Sequence, residues 1–215
     1  LDHFMNDRPI QDINDDTIRG EFAFVYMRFA SEDMKLIQCR VGCDHFGIRS
    51  LYMGRMNGSW AFSSEVKGLS DIATDIQRVP PGAVLDIYDS TYTVHEYTDV
   101  YKDTPMKSFP DLKSILFQAV QDRLQADRPV CCLLSGGLDS SGVSAIAQLL
   151  TSKEQKIMTF CCGDEDSPDL QHARIVSQHI GSNHTEVPFD VDEALSLIPK
   201  IVWILESWDT TTIRA

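Results

Sequence analysis

The chain has 215 residues, of which 43% are hydrophobic and 24% are charged, and its formal net charge is −13. This length is sufficient for one large domain or two small ones with a buried core. The acidic balance argues against broad binding to nucleic acid or to anionic membranes, although it is compatible with a local phosphate pocket. No apolar run approaches the roughly 20 residues of a membrane span and the first residues lack signal-peptide character, so we expect a soluble, cytoplasmic protein.

From Gly20 to about Tyr97 the pattern of apolar and polar residues favours strands joined by short turns. Alternation over residues 21–29, followed by a polar turn, is typical of the first strand of a hairpin. Two more turns, around Asn57-Gly58 and Asp89-Ser90, have the same character. The predicted hairpins pair residues 21–29 with 34–41, 51–54 with 59–62, and 83–88 with 92–97. We therefore expect an antiparallel, β-rich domain over residues 1–100.

A polar stretch with two prolines, residues 98–110, predicts a linker. Beyond it, helical and strand patterns alternate. The predicted elements are a helix over 111–125, a strand over 130–134, a helix over 140–150, a strand over 157–162, a helix over 169–180, a strand over 184–189, and a helix over 190–207 that Pro199 kinks. This order indicates a doubly wound parallel sheet over residues 108–215, with strand 130–134 buried on both faces.

The six cysteines, at positions 39, 43, 131, 132, 161 and 162, contain no CxxC pair. Four of them form two adjacent pairs inside apolar strand candidates. We expect small buried hydrophobic residues in a reducing compartment, and neither disulfides nor a structural zinc site.

The turn between the strand at 130–134 and the following helix reads Ser135-Gly136-Gly137-Leu138-Asp139-Ser140-Ser141. Glycines let the chain turn tightly and let a polyanion lie against the backbone at the start of a helix. Serine hydroxyls add donors, and Asp139 could hold a Mg²⁺ ion that neutralises phosphate oxygens. No lysine follows the glycines, which argues against a GxxxxGK[ST] loop. The alternative is an ordinary strand-to-helix connection.

A second polar loop, residues 163–169, follows the next strand, which ends at Cys162. In a parallel sheet both loops lie at the carboxyl ends of strands, where ligands bind, so they could line one crevice. Asp169 is then either the N-cap of the following helix or a partner for Mg²⁺ and pyrophosphate.

The Ser135–Ser141 loop resembles the pyrophosphate loop of the ATP pyrophosphatases. Three further strings, Cys43–Tyr52, Gly163–Leu170 and Glu206–Ala215, resemble the glutamine-hydrolysing asparagine synthetases in the same order and over almost the whole chain. This resemblance implies an α+β glutaminase half of the N-terminal nucleophile type, followed by an α/β synthetase domain of the ATP pyrophosphatase type.

The resemblance also implies a reaction, in which aspartate is adenylated by ATP with Mg²⁺ and then attacked by ammonia from glutamine, with release of AMP and pyrophosphate. A homodimer is the family expectation. Carried over by position, Asp44 would bind the α-amino group of glutamine, and Thr211 and Arg214 would face the aspartyl-adenylate. Leu134 and Cys162 would contact ATP. The pyrophosphate would be held by Ser135, Gly136, Gly137, Asp139 and Ser140. Alternatively, Asp44 caps a turn before Gly47 and Arg214 is a solvated helix-end charge.

The N-terminal cysteine nucleophile of the family is absent from the chain. Cys43 is no substitute, because it has no free terminal amine to serve as its base. We therefore expect the chain alone to be inactive. Two alternative functions fit the same strings: a related amidotransferase or β-lactam synthetase that acts on another carboxylate, and a degenerate, non-catalytic nucleotide-binding relative.

Overall fold

The structure is a computed structural model that describes residues 20–97, 109–151, 155–163, 166–188 and 190–209. Its internal contacts divide the chain into two compact units. Unit 1 consists of Leu1–Thr104 together with Ile204–Ala215, and unit 2 consists of Pro105–Trp203. The division falls inside the predicted linker. The C-terminal segment, however, groups with unit 1, whereas the sequence pattern places it with the second half of the chain.

Unit 1 contains two antiparallel sheets, whose strands are numbered in chain order. The four-stranded sheet has the order β1 (Ala23–Phe29), β2 (Leu36–Cys43), β6 (Ala83–Ile87), β7 (Tyr92–Glu96). The three-stranded sheet has the order β4 (Ser59–Ser63), β3 (Tyr52–Met56), β5 (Thr74–Arg78). The three predicted hairpins are confirmed as the pairs β1–β2, β3–β4 and β6–β7. Strand β5 was not predicted, because Ile76 is its only apolar residue and it lies at the edge of its sheet.

The core of unit 1 draws its buried side chains from both sheets. Strand β2 contributes every second residue, as the two-residue period of a strand requires. Strands β3 and β6 contribute Met53 and Leu85, while Trp60 and Phe62 of β4 pack against the cluster. The buried members are Cys39, Val41, Cys43, Leu51, Met53, Val79, Ala83 and Leu85.

Unit 2 alternates helices and strands, as the sequence predicts. Its elements are α1 (Phe109–Leu124), β8 (Cys131–Leu133), α2 (Leu138–Leu150), β9 (Met158–Gly163), α3 (Pro168–Ile180), β10 (Asn183–Pro188) and α4 (Val191–Leu205), whose last two residues belong to unit 1. The strands form a parallel sheet in the order β10-β9-β8. Helix α3 ends at Gly181, whose φ of 72° is the left-handed conformation that favours glycine after a helix.

The described part of this sheet is covered on one face, whereas the predicted doubly wound sheet has helices on both faces. Cys132 and Leu134 share one face of β8, and they pack with residues of α2 and α3 respectively. On the opposite face, Leu133 is 78% exposed. The strand order runs in one direction from β8 to β10, so two right-handed crossovers deliver both helices to the same side. The prediction that residues 130–134 are buried on both faces is therefore wrong.

All six cysteines are free thiols. Cys39, Cys43 and Cys161 are buried, as predicted, and Cys132 is half-buried. Cys131 and Cys162 are exposed, because they lie on the uncovered face of the parallel sheet. For these two residues the prediction of burial is wrong.

Helices α1 and α4 leave much of their apolar surface exposed. In α1, Val120 is buried, whereas Leu112 and Ile115 of the predicted apolar face are more than half exposed. Helix α4 contains Pro199 in its interior and has no buried residue. Among the described residues no helix is both long and apolar enough to cross a bilayer.

Candidate functional site

The loop that follows β8 begins at a firmly held residue. Leu134 is 1% exposed, packs with Cys161 and Leu170, and donates its N–H to the carbonyl oxygen of Phe160 at 2.8 Å. The parallel ladder thus continues one residue beyond β8. The next residue, Ser135, is exposed. Any contact between Leu134 and a ligand in the loop is limited to its backbone, because its side chain is inside the core.

The two glycines of the loop have different structural roles. Gly136 has a φ of +79°, and a Cβ built on it would lie 2.4 Å from the Cβ of His172 and 2.6 Å from the His172 carbonyl carbon. Only glycine allows this backbone to lie against α3. Gly137 has an ordinary φ of −69°, and an added Cβ would have Ser135 Oγ at 3.6 Å as its nearest neighbour. The side of the loop at Gly137 is therefore open.

Gly137 is the N-cap of α2 and has no side chain that could accept hydrogen bonds from the first N–H groups of the helix. Two hydroxyls meet beside this helix start. Ser135 Oγ and Ser140 Oγ lie 3.0 Å apart, and Ser140 Oγ donates to the Gly137 carbonyl oxygen at 3.3 Å. The uncapped N–H groups and the positive end of the helix dipole form an arrangement that suits an anion such as phosphate. A bound anion would also give the two hydroxyls an acceptor in place of Ser140 Oγ and the Gly137 carbonyl oxygen.

The second predicted loop precedes α3. Its N-cap is Ser167, whose hydroxyl accepts a hydrogen bond from the backbone N–H of Asp169 at 3.2 Å, and Pro168 occupies the first helical position. Asp169 is therefore not the N-cap, which corrects that alternative. A serine followed by proline is the favoured way to start a helix, since the proline has no N–H to satisfy. Cys162, at the end of β9, is exposed, as is Asp169.

Asp139 and Asp169, the two predicted Mg²⁺ ligands, lie in the first turns of α2 and α3, and both are exposed. Within the described ranges no group of three or more His, Cys, Asp or Glu side chains is arranged to hold a metal ion. A dedicated protein cage is therefore not present there. Mg²⁺ commonly uses only one or two carboxylates together with substrate phosphates and water, so each aspartate is still a suitable ligand for Mg²⁺ carried by ATP.

Asp44, in unit 1, is 2% exposed and accepts four backbone hydrogen bonds. Oδ1 accepts from Phe46 and Ile48, and Oδ2 accepts from Phe22 and Arg49, at 3.0–3.2 Å. Burial raises the pKa of this carboxyl, but the four N–H donors outweigh burial and hold the pKa below its usual value.

Four donors use about all the lone-pair positions of a carboxylate. The geometry of Asp44 therefore favours the turn-capping alternative, and its binding of glutamine stays a prediction. Thr211 and Arg214, predicted to face the aspartyl-adenylate, lie outside the described residues.

Sequence reasoning did not find the contact between Gly136 and α3. The glycine-rich string predicted a tight turn, but nothing in it identifies His172 and Ala173 as the atoms that an added Cβ would meet. Those residues lie more than thirty positions away in the sequence. Their own pattern indicates only an amphipathic helix.

Two regions of the chain match models of known protein families. A family model described as asparagine synthase matches residues 111–215, which include the Ser135–Ser141 loop. A model described as a glutamine amidotransferase domain matches residues 6–71, which include Asp44.

Individual relatives agree with both regions. Asparagine synthetase [glutamine-hydrolyzing] 2 of Arabidopsis thaliana is 36% identical, with 93% of this chain and 36% of the relative covered. The asparagine synthetase [glutamine-hydrolyzing] of Homo sapiens is 36% identical, with 91% and 40% covered, and asparagine synthetase B of Escherichia coli is 34% identical, with 93% and 38% covered. The chain thus spans less than half the length of these relatives. With both regions in this order and this identity over almost all of its residues, the chain belongs to the family of glutamine-hydrolysing asparagine synthetases.

Proposed function

We propose that the chain takes part in ATP-dependent synthesis of asparagine from aspartate, with ammonia derived from glutamine. The proposed binding of ATP is supported mainly by the open start of α2, where Gly137 leaves free space beside the hydroxyls of Ser135 and Ser140. The family membership supports the choice of aspartate and glutamine.

In this proposal the aspartate side-chain carboxylate attacks the α-phosphorus of ATP, and the bond to the β-phosphate oxygen breaks. The pyrophosphate leaves into the Ser135–Ser141 loop, where the N–H groups at the start of α2 and the two hydroxyls stabilise its charge. Ammonia then attacks the acyl carbon of the aspartyl-adenylate, and AMP leaves with the electron pair of the broken C–O bond. Thr211 and Arg214 are proposed to hold the aspartyl part.

Asp139 and Asp169 would hold Mg²⁺ on the phosphates, since each is an exposed carboxylate in the first turn of a helix that follows a parallel strand. Bound Mg²⁺ would neutralise developing charge on the phosphate oxygens. Helix α2 positions Asp139 relative to the loop because both belong to one continuous stretch of backbone.

The glutamine part of the proposal depends on the region 6–71. Cys43 is not proposed as the nucleophile that hydrolyses glutamine. Burial, followed by the charge of the neighbouring Asp44, raises the pKa of the Cys43 thiol to about 11, and the side chain is 1% exposed. A thiol in this state is neither ionised nor accessible at neutral pH.

Calorimetric titration of ATP, with and without Mg²⁺, tests the nucleotide part. Asp139→Ala should weaken MgATP binding about 10- to 100-fold, the range of a lost charge-assisted interaction. Without Mg²⁺ the same variant should bind ATP no more weakly than the wild type, because a carboxylate beside bare phosphate is repulsive.

Asp127→Ala is the matched control, since it removes an exposed aspartate at the amino end of β8, away from the loop. Failure of the wild-type chain to bind MgATP, or equal losses in both variants, would contradict the assignment. Aspartate-dependent exchange of labelled pyrophosphate into ATP then tests the acceptor in the full-length protein, since we expect the chain alone to be inactive. Exchange that depends on another carboxylate would favour the related ligase.

A further inference from the structure

Side chains that can carry a positive charge are scarce around the Ser135–Ser141 loop. The loop contains one charged residue, Asp139, which is acidic, and neither β8 nor α2 contains a lysine, arginine or histidine. Pyrophosphate carries several negative charges, and hydrogen bonds from side chains to such an anion are among the strong ones. Of the described elements that contact the loop, α3 is the one whose side chains can supply such a donor.

Helix α3 contains three candidates: His172, Arg174 and His179. Arg174 is already paired, because its Nε and one terminal nitrogen donate to Glu186 on β10 at 2.5 and 2.7 Å. His179 is in the last turn of α3, about 10 Å along the helix from His172. His172 is exposed, and its ring has no hydrogen bond or ion pair within the described part of the chain. His172 is therefore the candidate available to a ligand.

His172 lies directly against the loop. A Cβ built on Gly136 would overlap both the Cβ and the carbonyl carbon of His172. The Cα of Gly136 is one carbon–carbon bond further away, which places it no more than about 4 Å from the Cβ of His172. Gly137 follows at about 3.8 Å, so its Cα lies within about 8 Å of that Cβ. An imidazole and one hydrogen bond can span this distance to a phosphate oxygen at the open side of the loop.

The direction of helical side chains favours the same contact. Side chains of a helix lean toward its amino end. The amino end of α3 lies at the carboxyl edge of the parallel sheet, because α3 begins where β9 ends, and the Ser135–Ser141 loop follows β8 at the same edge. We therefore expect the His172 ring to lean toward the phosphate side of the loop. Asp169, the proposed Mg²⁺ ligand, is three positions earlier and thus on the same face of α3.

We propose that His172 contacts the pyrophosphate part of bound ATP, with a ring N–H that donates a hydrogen bond to a phosphate oxygen. This inference rests on the proposed function, in which the loop holds pyrophosphate. Both protonation states of imidazole contain at least one N–H, so the contact does not require a charged ring. His172 would thus supply, from the next helix, the side-chain donor that a lysine supplies within other phosphate loops.

Calorimetric titration of the full-length protein with magnesium pyrophosphate, MgATP and MgAMP tests the contact. His172→Ala keeps the Cβ that packs against Gly136, and alanine favours a helix, so the variant should fold normally. It should bind pyrophosphate and ATP about tenfold more weakly, the effect of a lost hydrogen bond to a charged group, and AMP within about twofold of the wild type. His179→Ala is the matched control and should bind all three ligands as the wild type does.

Two further variants separate a contact with phosphate from a packing role. His172→Gln keeps an N–H donor and should weaken pyrophosphate binding less than His172→Ala does. His172→Glu adds a negative charge and should weaken it most. A packing role predicts no such order. The ring nitrogen signals of His172 in NMR spectra, assigned by their absence in His172→Ala, should also shift when pyrophosphate is added, whereas those of His179 should not.

Wild-type affinity for pyrophosphate in His172→Ala, an equal loss of AMP binding, or an equal loss in His179→Ala would overturn the contact. Failure of the wild-type protein to bind either MgATP or magnesium pyrophosphate would overturn the proposed function, and with it the role of His172 in that function. The two failures are therefore distinguishable.

Discussion

The two adjacent glycines of the loop should respond very differently to the same added methyl group. In Gly136→Ala, the Cβ would lie at 2.4 Å and 2.6 Å from atoms of His172, whereas ordinary contact begins at about 3.4 Å. The loop or α3 must then shift by about 1 Å, which typically costs about 1–3 kcal/mol. The left-handed backbone adds about 1–2 kcal/mol for a residue with a Cβ. The total loss of about 2–5 kcal/mol is a large part of the stability of a typical domain.

Gly137→Ala is the matched control. Its φ suits alanine and its Cβ has no neighbour closer than 3.6 Å, so the loss should be about 1 kcal/mol or less, as expected when glycine is replaced at an N-cap. The methyl group would, however, fill the open side of the loop where we propose that phosphate lies. This variant should therefore fold normally and bind MgATP more weakly.

Because the chain has two units, hydrogen exchange of peptides from residues 131–150 is a better measure of these changes than one melting temperature. Exchange should accelerate strongly in Gly136→Ala and little in Gly137→Ala. Equal protection in Gly136→Ala and the wild type would refute the reasoning from the contact with α3. Undiminished MgATP binding by Gly137→Ala would refute the placement of phosphate.

Further predictions concern unit 1 and the thiols. Asp44→Asn should destabilise unit 1 by about 2–4 kcal/mol in urea unfolding, because the amide NH2 group of asparagine cannot accept the hydrogen bonds that one carboxylate oxygen of Asp44 accepts. The pKa of Asp44 is lower in the folded than in the unfolded state. The ionised carboxylate therefore stabilises the folded state fully above the unfolded-state pKa of about 3.9, and this stabilisation is lost as the pH falls through the folded-state pKa. Below about pH 4, the free energy of unfolding should depend less steeply on pH in the variant than in the wild type. An identical slope would contradict the assignment of this pH dependence to Asp44. Iodoacetamide at pH 8, mapped by peptide mass spectrometry, should modify the exposed Cys131 and Cys162 and leave Cys43 intact until urea is added. Labelling of Cys43 at the same rate as Cys162 would contradict its burial.

The types and order of most elements could be predicted from the sequence, because their signals are local. Alternating residues around Asn57-Gly58 specify a hairpin within a dozen positions, and the structure contains it. The same holds for the alternation of strand and helix after residue 110 and for the glycine that ends α3. Strand β5 lacked such a signal and was missed.

Other features depend on which elements become neighbours. An apolar run such as residues 130–134 is compatible with burial on both faces, but strand order and crossover handedness decide that Leu133 is exposed in the described sheet. The glycine string predicted a turn, while the contact of Gly136 with α3 made glycine obligatory there. The carboxylate of Asp44 required a folded turn to collect its four donors.

The sequence by itself thus determined the elements, their order and the candidate phosphate loop, since periodicity and turn residues act over a few positions along the chain. Only the tertiary structure decided which faces are covered, which carboxylate is a cap, and that Glu206 holds Val66 and Lys67. Such contacts join residues far apart in sequence, and their energies depend on distances that no local pattern contains.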